Sequence, residues 1–329
     1  MKKILRDEPF AHIYKHCNAG NSKHKLANLP DFPRLIDVEM TNTCNFRCLM
    51  CPTGTFSQKR AKGFMSREVF YRLLDQVGDR KTPLRFIRWG EPMMHPDIIE
   101  FITAAHARGC LVHMNSNGSY FTKEKILELL HIPLDSLKFS FQGIDKKSYG
   151  EMRNTDFFEE LIDTIRLFKE LRGDRAKPFL QVSTSITYES LEQVDNFRAL
   201  MQSLVDKVSV GRTMLAHLDI NSVRLRAKER EALIKLKEEE TIVREHPECP
   251  EVFDKLSINW DGSISACCAD SDNLMLIGDI NQESLSDIWT ASSMMHYREM
   301  LADMRHDELP LCKTCWDEQS LDKPGRQKI

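Results

Sequence analysis

Residues 35–51 read LIDVEMTNTCNFRCLMC. The apolar run Leu35–Met40 has the length and composition of a buried β-strand, and it passes directly into a polar turn carrying Cys44, Cys48 and Cys51. Three thiols within eight residues, on the loop after a strand, place metal-ligating chemistry at the carboxyl end of that strand.

Five more runs have strand character: Leu84–Trp89, Cys110–Asn115, Ser136–Phe141, Phe179–Ile186 and Val205–Val210. Between them Ser66–Val77, Asp97–Arg108, Lys123–Leu130, Phe157–Leu171 and Glu189–Leu204 carry apolar residues at helical spacing. This alternation predicts an α/β chain with a parallel sheet, curled or wound, whose post-strand loops converge on one face. The charged stretch Arg224–Glu245, with a modest apolar stripe at Leu225, Leu233 and Leu236, reads as a solvated connecting helix at a domain boundary. Beyond it, Lys255–Ile258 and Ser263–Ala266 flank Trp260-Asp261-Gly262 as a hairpin, and Ser284–Leu301 reads as one helix. The expected division is an N-terminal extension (1–34), a core (35–215), a connecting helix (216–245) and an auxiliary domain (246–329).

A net charge of −3 in 329 residues offers no basic excess to recruit nucleic acid or an acidic membrane. No apolar run is long enough to span a bilayer, and Lys2-Lys3 is not followed by a signal segment, so the expected location is the cytoplasm. Cytosolic thiols stay reduced, so ten cysteines argue for metal or redox chemistry over disulfides. Three lie at 44–51 and five at 249–315, with Cys17 and Cys110 apart, which implies two cysteine sites.

A four-iron cluster normally takes four cysteines, so Cys44-x-x-x-Cys48-x-x-Cys51 leaves one iron open. The competing reading is a zinc site or buried structural thiols. This spacing after a first strand resembles the signature of the radical S-adenosylmethionine superfamily, whose open iron chelates the amine and carboxylate of S-adenosylmethionine. The resemblance implies a partial (β/α)6 TIM-like barrel with a small C-terminal twitch/SPASM-like α+β domain. Met50 stands where the family usually has an aromatic residue near the adenine, and a thioether also fills an apolar contact. Arg88-Trp89-Gly90-Glu91-Pro92 is similar to the family's Gly-Gly-Glu-Pro, which implies Glu91 as partner of the cofactor's ammonium and Gly90 as a point of close backbone approach. Asn115-Ser116-Asn117-Gly118 and Ser140-Phe141-Gln142-Gly143 resemble the turns after strands three and four, implying Asn115, Asn117 and Gln142 in cofactor binding. Ser140 and Arg153 are the candidates for its carboxylate.

Cys249, then Gly262, Cys267 and, after a long gap, Cys312-x-x-Cys315, resembles the front of the SPASM domain. No cysteine occurs in 316–329, so the pattern is similar to the shorter twitch variant, with four thiolates closing a second [4Fe-4S] cluster. A four-cysteine zinc site is the alternative. Cys267 is the expected ligand by the glycine spacing, leaving Cys268 as a buried spectator or a hydrogen-atom donor.

A 5′-deoxyadenosyl radical removes one hydrogen atom, and a second electron must leave before a carbonyl forms. An auxiliary cluster gives that electron a destination. Twitch-type relatives imply alcohol-to-ketone oxidation on a sugar or aminocyclitol-type molecule, with flavodoxin or ferredoxin as electron donor. Arg212, ending the sixth strand, is a candidate for assisting deprotonation or binding an anionic group, against the alternative of an ordinary surface salt bridge. His95 reads more readily as a structural loop residue. Maturation of a ribosomal peptide is the second reading, disfavoured by the mere thirty-four residues before strand one. A non-catalytic metal scaffold is the third, and it leaves Glu91 without a purpose.

Overall fold

The computed structural model describes residues 5–17, 20–187, 189–213, 215, 218, 220–239 and 249–314, with backbone alone for 236–239 and 314. In chain order its elements are α1 Ala11–Cys17, α2 Ser22–Ala27, β1 Leu35–Val38, α3 Arg67–Val77, β2 Leu84–Phe86, α4 Ile98–Ala107, β3 Val112–Ser116, α5 Lys123–His131 and β4 Ser136–Ser140. Then follow α6 Lys146–Arg153, α7 Phe158–Arg172, β5 Phe179–Ile186, α8 Leu191–Gln202, β6 Lys207–Arg212 and α9 Ala227–Glu239. The chain continues with α10 Glu251–Asp254, β7 Lys255–Ile258, β8 Ser263–Ser265, β9 Leu276–Asp279, α11 Leu285–Thr290 and α12 Ser292–Ala302.

The expected βα alternation is present. Strands β1 to β6 pair in parallel in sequence order, each pair joined by one or more helices, the crossover connection that parallel pairing requires. Three of the crossover helices, α3, α5 and α8, start where side-chain oxygens cap free N–H groups: Ser66 accepts from Val69 N, Thr122 from Lys125 N, and Ser190 forms a capping box with Gln193. Ile36 and Val38 pack outward into the layer formed with Phe70, Leu73 and Phe101. Asp37, between them, faces the other way and takes both arms of Arg85, Nε to Oδ1 at 2.6 Å and Nη2 to Oδ2 at 2.8 Å.

Asp37, Arg85, His113 and Ser136 are register partners across four strands, so they form one polar belt inside the curled sheet. His113 Nδ1 lies 3.0 Å from Ser136 Oγ, which also accepts from Gln181 Nε2 at 2.9 Å. Below this belt Phe10, Ile13 and Cys17 of the N-terminal segment cluster with Leu35 and close the amino end of the strands. Residues 1–34 were read without secondary structure; α1 and α2 occupy part of them because this bottom must be sealed by apolar side chains. Chemistry is thereby confined to the carboxyl end.

Beyond the expected boundary near 246 the sheet does not stop. β7 pairs in parallel with β1, and the hairpin partner β8 and then β9 extend the order to β6-β5-β4-β3-β2-β1-β7-β8-β9. The expected hairpin is present, whereas β9, α6 and α10 had no counterpart in the sequence reading. The single helix expected over Ser284–Leu301 is corrected to α11 and α12, separated where Ala291 adopts an extended backbone (ψ 149°). Buried Arg298 stabilises that break by donating to Trp289 O at 2.8 Å and Val252 O at 2.9 Å, with its guanidinium 4.0 Å over the Trp289 ring. α9 begins at Ala227, three residues after the expected Arg224, and is described as far as Glu239; it is not merely solvated, for Leu233 is buried with Leu215, Leu218, Val223 and Leu49. No helix among the described residues is long and apolar enough to cross a membrane.

Candidate active site

The first cysteine loop leaves β1 through residues 39–43 and is fixed on three sides. Thr41 Oγ1 donates to Gly63 O at 2.6 Å, and Asn42 both donates to Ala61 O at 2.8 Å and accepts from Gly63 N at 3.0 Å. Inside the loop Cys51 N donates to Cys48 O at 3.3 Å and Thr55 N to Cys51 O at 2.9 Å. From outside, Leu49 N donates to Met152 O of α6 at 2.9 Å. Gly54, not singled out in the sequence, passes so close that a Cβ there would stand 2.4 Å from Cys48 O.

The sulfurs accept polar hydrogens. Phe46 N reaches Cys44 Sγ at 3.4 Å, Asn117 Nδ2 reaches it at 3.8 Å, and Arg153 Nη1 reaches Cys48 Sγ at 3.5 Å. Burial, followed by the charges of Glu91, Cys48 and Cys51, pushes the Cys44 thiol up to about 12, and burial with the Cys48 charge also raises Cys51. Thiolates so placed need a positive metal centre beside them. Among the described residues the only three-ligand group with donor atoms all within 4.8 Å is Asp37, Glu251 and Cys268. Three thiolates in one short loop are one fewer than a closed four-iron cluster takes, so the donor set fits a cluster with one open iron. The Asp37 group is itself neutralised, by Arg85 on Asp37 and Lys255 on Glu251.

Glu91 is buried at the foot of the turn after β2. Its Oε1 accepts from Ser116 Oγ at 2.8 Å and Met93 N at 3.0 Å, and its Oε2 from Asn117 N at 2.7 Å. Oε2 thus retains a lone pair for a further donor, and burial raises the carboxyl's pKa against these hydrogen bonds. Gly90 has no room for any side chain, because a Cβ would fall 2.0 Å from Thr41 O. Gly90→Ala is expected to cost about 3 kcal/mol and to displace the cysteine loop. A lowered melting temperature together with lost iron uptake checks this.

The remaining sequence candidates fall as follows. Asn117 bridges Glu91, Cys44 and Asn45, the last accepting from its Nδ2 at 2.9 Å. Asn115 holds His113 Nε2 at 2.7 Å, Gln142 is buried and donates to Thr213 Oγ1, and Ser140 offers its carbonyl to Arg153 Nη2. Met50 packs with the Leu49 and Leu233 cluster. Arg212 ends β6 with its side chain exposed, and none of its described hydrogen bonds or ion pairs joins it to the cysteine loops. His95 is buried between Met65 O at 2.8 Å and Asp97 N at 3.1 Å, a loop-fixing role as expected.

In the second group Cys249, Cys267 and Cys312 pack against the main core, while Cys315 lies outside the described residues. Ala269 N donates to Cys267 Sγ at 3.4 Å, the same relation as Phe46 to Cys44. Cys268 Sγ instead turns to Glu251 Oε2 at 3.8 Å. Both thiols are pushed up, Cys268 well above the usual thiol value by its hydrogen bond with Cys267 and by burial, whereas that same hydrogen bond works against the rise of Cys267.

Residues that the sequence reading missed join the two sites. Arg60 donates to Glu39 with both Nη atoms, at 2.9 and 2.7 Å, and with Nε to Ser271 O at 2.7 Å. Gln58 Nε2 also reaches Ser271 O, at 3.2 Å, and Lys59 N reaches Asp272 Oδ1 at 2.6 Å. Arg88, whose φ of 95° is left-handed, donates Nη2 to Asp270 O at 2.7 Å. The segment after the first cysteine loop is thus clasped to the segment after Cys267.

Residues 38–201 match the Radical SAM superfamily and residues 249–316 match SPASM, an iron–sulfur cluster-binding domain. The chain is 25% identical over 173 residues to the AdoMet-dependent heme synthase of Methanosarcina barkeri, covering 52% of this chain and 48% of that protein. It spans about half the length of that relative. It is 23% identical over 315 residues to the tungsten-containing aldehyde ferredoxin oxidoreductase cofactor-modifying protein of Pyrococcus furiosus, covering 84% and 86%. Among solved structures, BtrN in complex with AdoMet and 2-DOIA gives a TM-score of 0.56 at 15% identity over 86% of this chain and 93% of that one. Streptococcus suis SuiB bound to its precursor peptide SuiA gives 0.62 at 16% identity over 90% and 73%. Spacing, fold and both domain matches agree: the chain belongs to the radical S-adenosylmethionine superfamily, in the branch that adds a SPASM-type iron–sulfur domain.

Proposed function

We propose that this radical S-adenosylmethionine enzyme oxidises a secondary alcohol of a small, sugar-like or aminocyclitol-type molecule to a ketone, its auxiliary cluster accepting the second electron. The radical SAM domain binds a [4Fe-4S] cluster and S-adenosylmethionine, and the SPASM domain binds further iron–sulfur. When bound, these groups supply a 5′-deoxyadenosyl radical that takes a hydrogen atom from the substrate carbon, and an acceptor for the electron left after the hydroxyl proton departs.

The chain's own residues receive these groups. Cys44, Cys48 and Cys51 hold the first cluster and Cys249, Cys267, Cys312 and Cys315 the second. Glu91 accepts from the cofactor's ammonium through the vacant lone pair on Oε2. Ser140 and the unpaired Nε of Arg153 are left for its carboxylate, and Asn115, Asn117 and Gln142 for the ribose side. Flavodoxin or ferredoxin is the proposed electron donor. Arg212, exposed at the end of β6, is the proposed group for assisting deprotonation of the hydroxyl or binding an anionic part of the substrate.

The observation that supports this reading is the clasp of Arg60, Glu39 and Arg88, which ties the loop behind the radical source to the loop behind Cys267. In this reading the substrate binds at the strand ends, between the loops that carry the two proposed clusters. The peptide reading is favoured by SuiB, which was solved with its precursor peptide. Anaerobic incubation with amino sugars, cyclitols and nucleotide sugars, and separately with a peptide encoded beside the gene, decides the matter. The expected result is substrate-dependent 5′-deoxyadenosine and a sugar-like product two hydrogens lighter; turnover of the peptide alone would overturn it.

A further inference from the structure

We infer that Arg153 is a positioning and tuning residue of the first cluster: its guanidinium hydrogen-bonds the Cys48 sulfur and raises the potential at which that cluster accepts its electron. The inference rests on reading Cys44, Cys48 and Cys51 as the cluster ligands. It goes beyond cofactor binding, because it acts before any cofactor arrives.

The side chain is held in one place by several groups. α6 begins at a capping box in which Asp145 accepts from Ser148 N at 2.8 Å and Ser148 Oγ accepts from Asp145 N at 3.3 Å. It ends at Arg153, where Asn154 caps the helix in the left-handed conformation (φ 55°). The Met152 carbonyl accepts from Leu49 N at 2.9 Å, so the last turn of the helix and the cysteine loop move as one. The buried guanidinium lies 5.9 Å from the Phe46 ring centroid and 5.8 Å from that of Tyr149. One arm, Nη2, is fixed to Ser140 O, and the other, Nη1, points at Cys48 Sγ at 3.5 Å.

Among the described residues no carboxylate forms an ion pair with Arg153, and the atoms its two Nη groups reach are Ser140 O and the Cys48 sulfur. Reduction of the cluster core from 2+ to 1+ adds one electron and makes or breaks no covalent bond. The added negative charge falls on a group already carrying thiolates. A fixed cation and an N–H to sulfur both favour the reduced form, and both are recognised determinants of cluster potential. Lysine at this place keeps the charge but not the planar fork that serves Ser140 O and Cys48 together.

The test is a dithionite redox titration, monitored by electron paramagnetic resonance, of the full chain carrying both clusters and no S-adenosylmethionine. Wild type, R153Q and R153K are compared, with the auxiliary cluster's midpoint as internal reference and about eight irons per chain confirming loading. In R153Q the first cluster's reduction should weaken at least tenfold, a 59 mV fall for one electron, with a smaller fall in R153K and the auxiliary midpoint unmoved. Should R153Q take up only the auxiliary iron, R153K decides alone. An unmoved first midpoint overturns the inference, and weaker cofactor binding with that midpoint unmoved assigns Arg153 to the cofactor's carboxylate only. Failure of the underlying ligand reading is distinct, since the wild type itself would then show no first-cluster signal.

Discussion

Cys48→Ala is expected to abolish cleavage of S-adenosylmethionine, with 5′-deoxyadenosine falling below detection and bound iron dropping from about eight to about four per chain. The open coordination position exists only while three thiolates hold the other irons, and two sulfurs cannot retain the cluster. Cys48 is the most telling of the three because it is buried and receives Arg153, so alanine removes a ligand and leaves a buried cation without its partner. The loop backbone has independent anchors in the Leu49 to Met152 bond and in Asn42, so the fold should survive the change. Iron and sulfide analysis, circular dichroism and chromatography of the nucleoside products check the three parts separately. Cofactor cleavage at the wild-type rate by this variant is incompatible with the assigned chemistry.

Cys312→Ala should have a different signature. Cys312 packs against the main core near Met275, its Sγ 3.8 Å from that sulfur, and is remote in sequence from the first loop. Its loss removes one of the ligands proposed for the auxiliary cluster and leaves the first untouched. Deoxyadenosine release should persist within about tenfold, while ketone formation should fall by about a hundredfold or more, since the substrate radical then lacks its electron acceptor. The ratio of product to deoxyadenosine, measured under single turnover, reports this uncoupling. A ratio equal to wild type would remove the electron-transfer role from the auxiliary site and leave it structural. The two variants together separate the source of the radical from the sink for the electron.

Much of this was legible because it is local. The three cysteines lie within one short loop, and their spacing alone sets how many irons they can hold. The βα alternation was legible for a similar reason: strand and helix periods are properties of neighbouring residues, and all six strands of the parallel set fall within two residues of their expected limits, or three at the end of β2. The elements that were missed carry weak local signals. α6 has few apolar residues and a glycine within it, and its capping box uses Asp145 and Ser148 in place of the commoner Ser/Thr with Glu/Gln. α11 and α12 share one continuous periodicity, and the break at Ala291 is stabilised by Arg298, which bonds a carbonyl 46 residues away.

What the sequence determined by itself, then, is the chemistry of the first site, the order of strands and helices, and the existence of a second cysteine group. The tertiary structure alone decided that β7 continues the sheet from β1, that α1 seals its amino end, and that Arg60 and Arg88 clasp the two cysteine modules together. It also decided that the Cys268 sulfur turns to Glu251 while Cys267 receives Ala269 N, and that Arg153 meets Cys48 across 105 residues of chain. The division has a physical cause. Spacing and periodicity act over a few bonds and are written in consecutive residues, whereas a buried arginine finds its acceptor only after the chain has closed long loops, and no short window of sequence records which acceptor that will be.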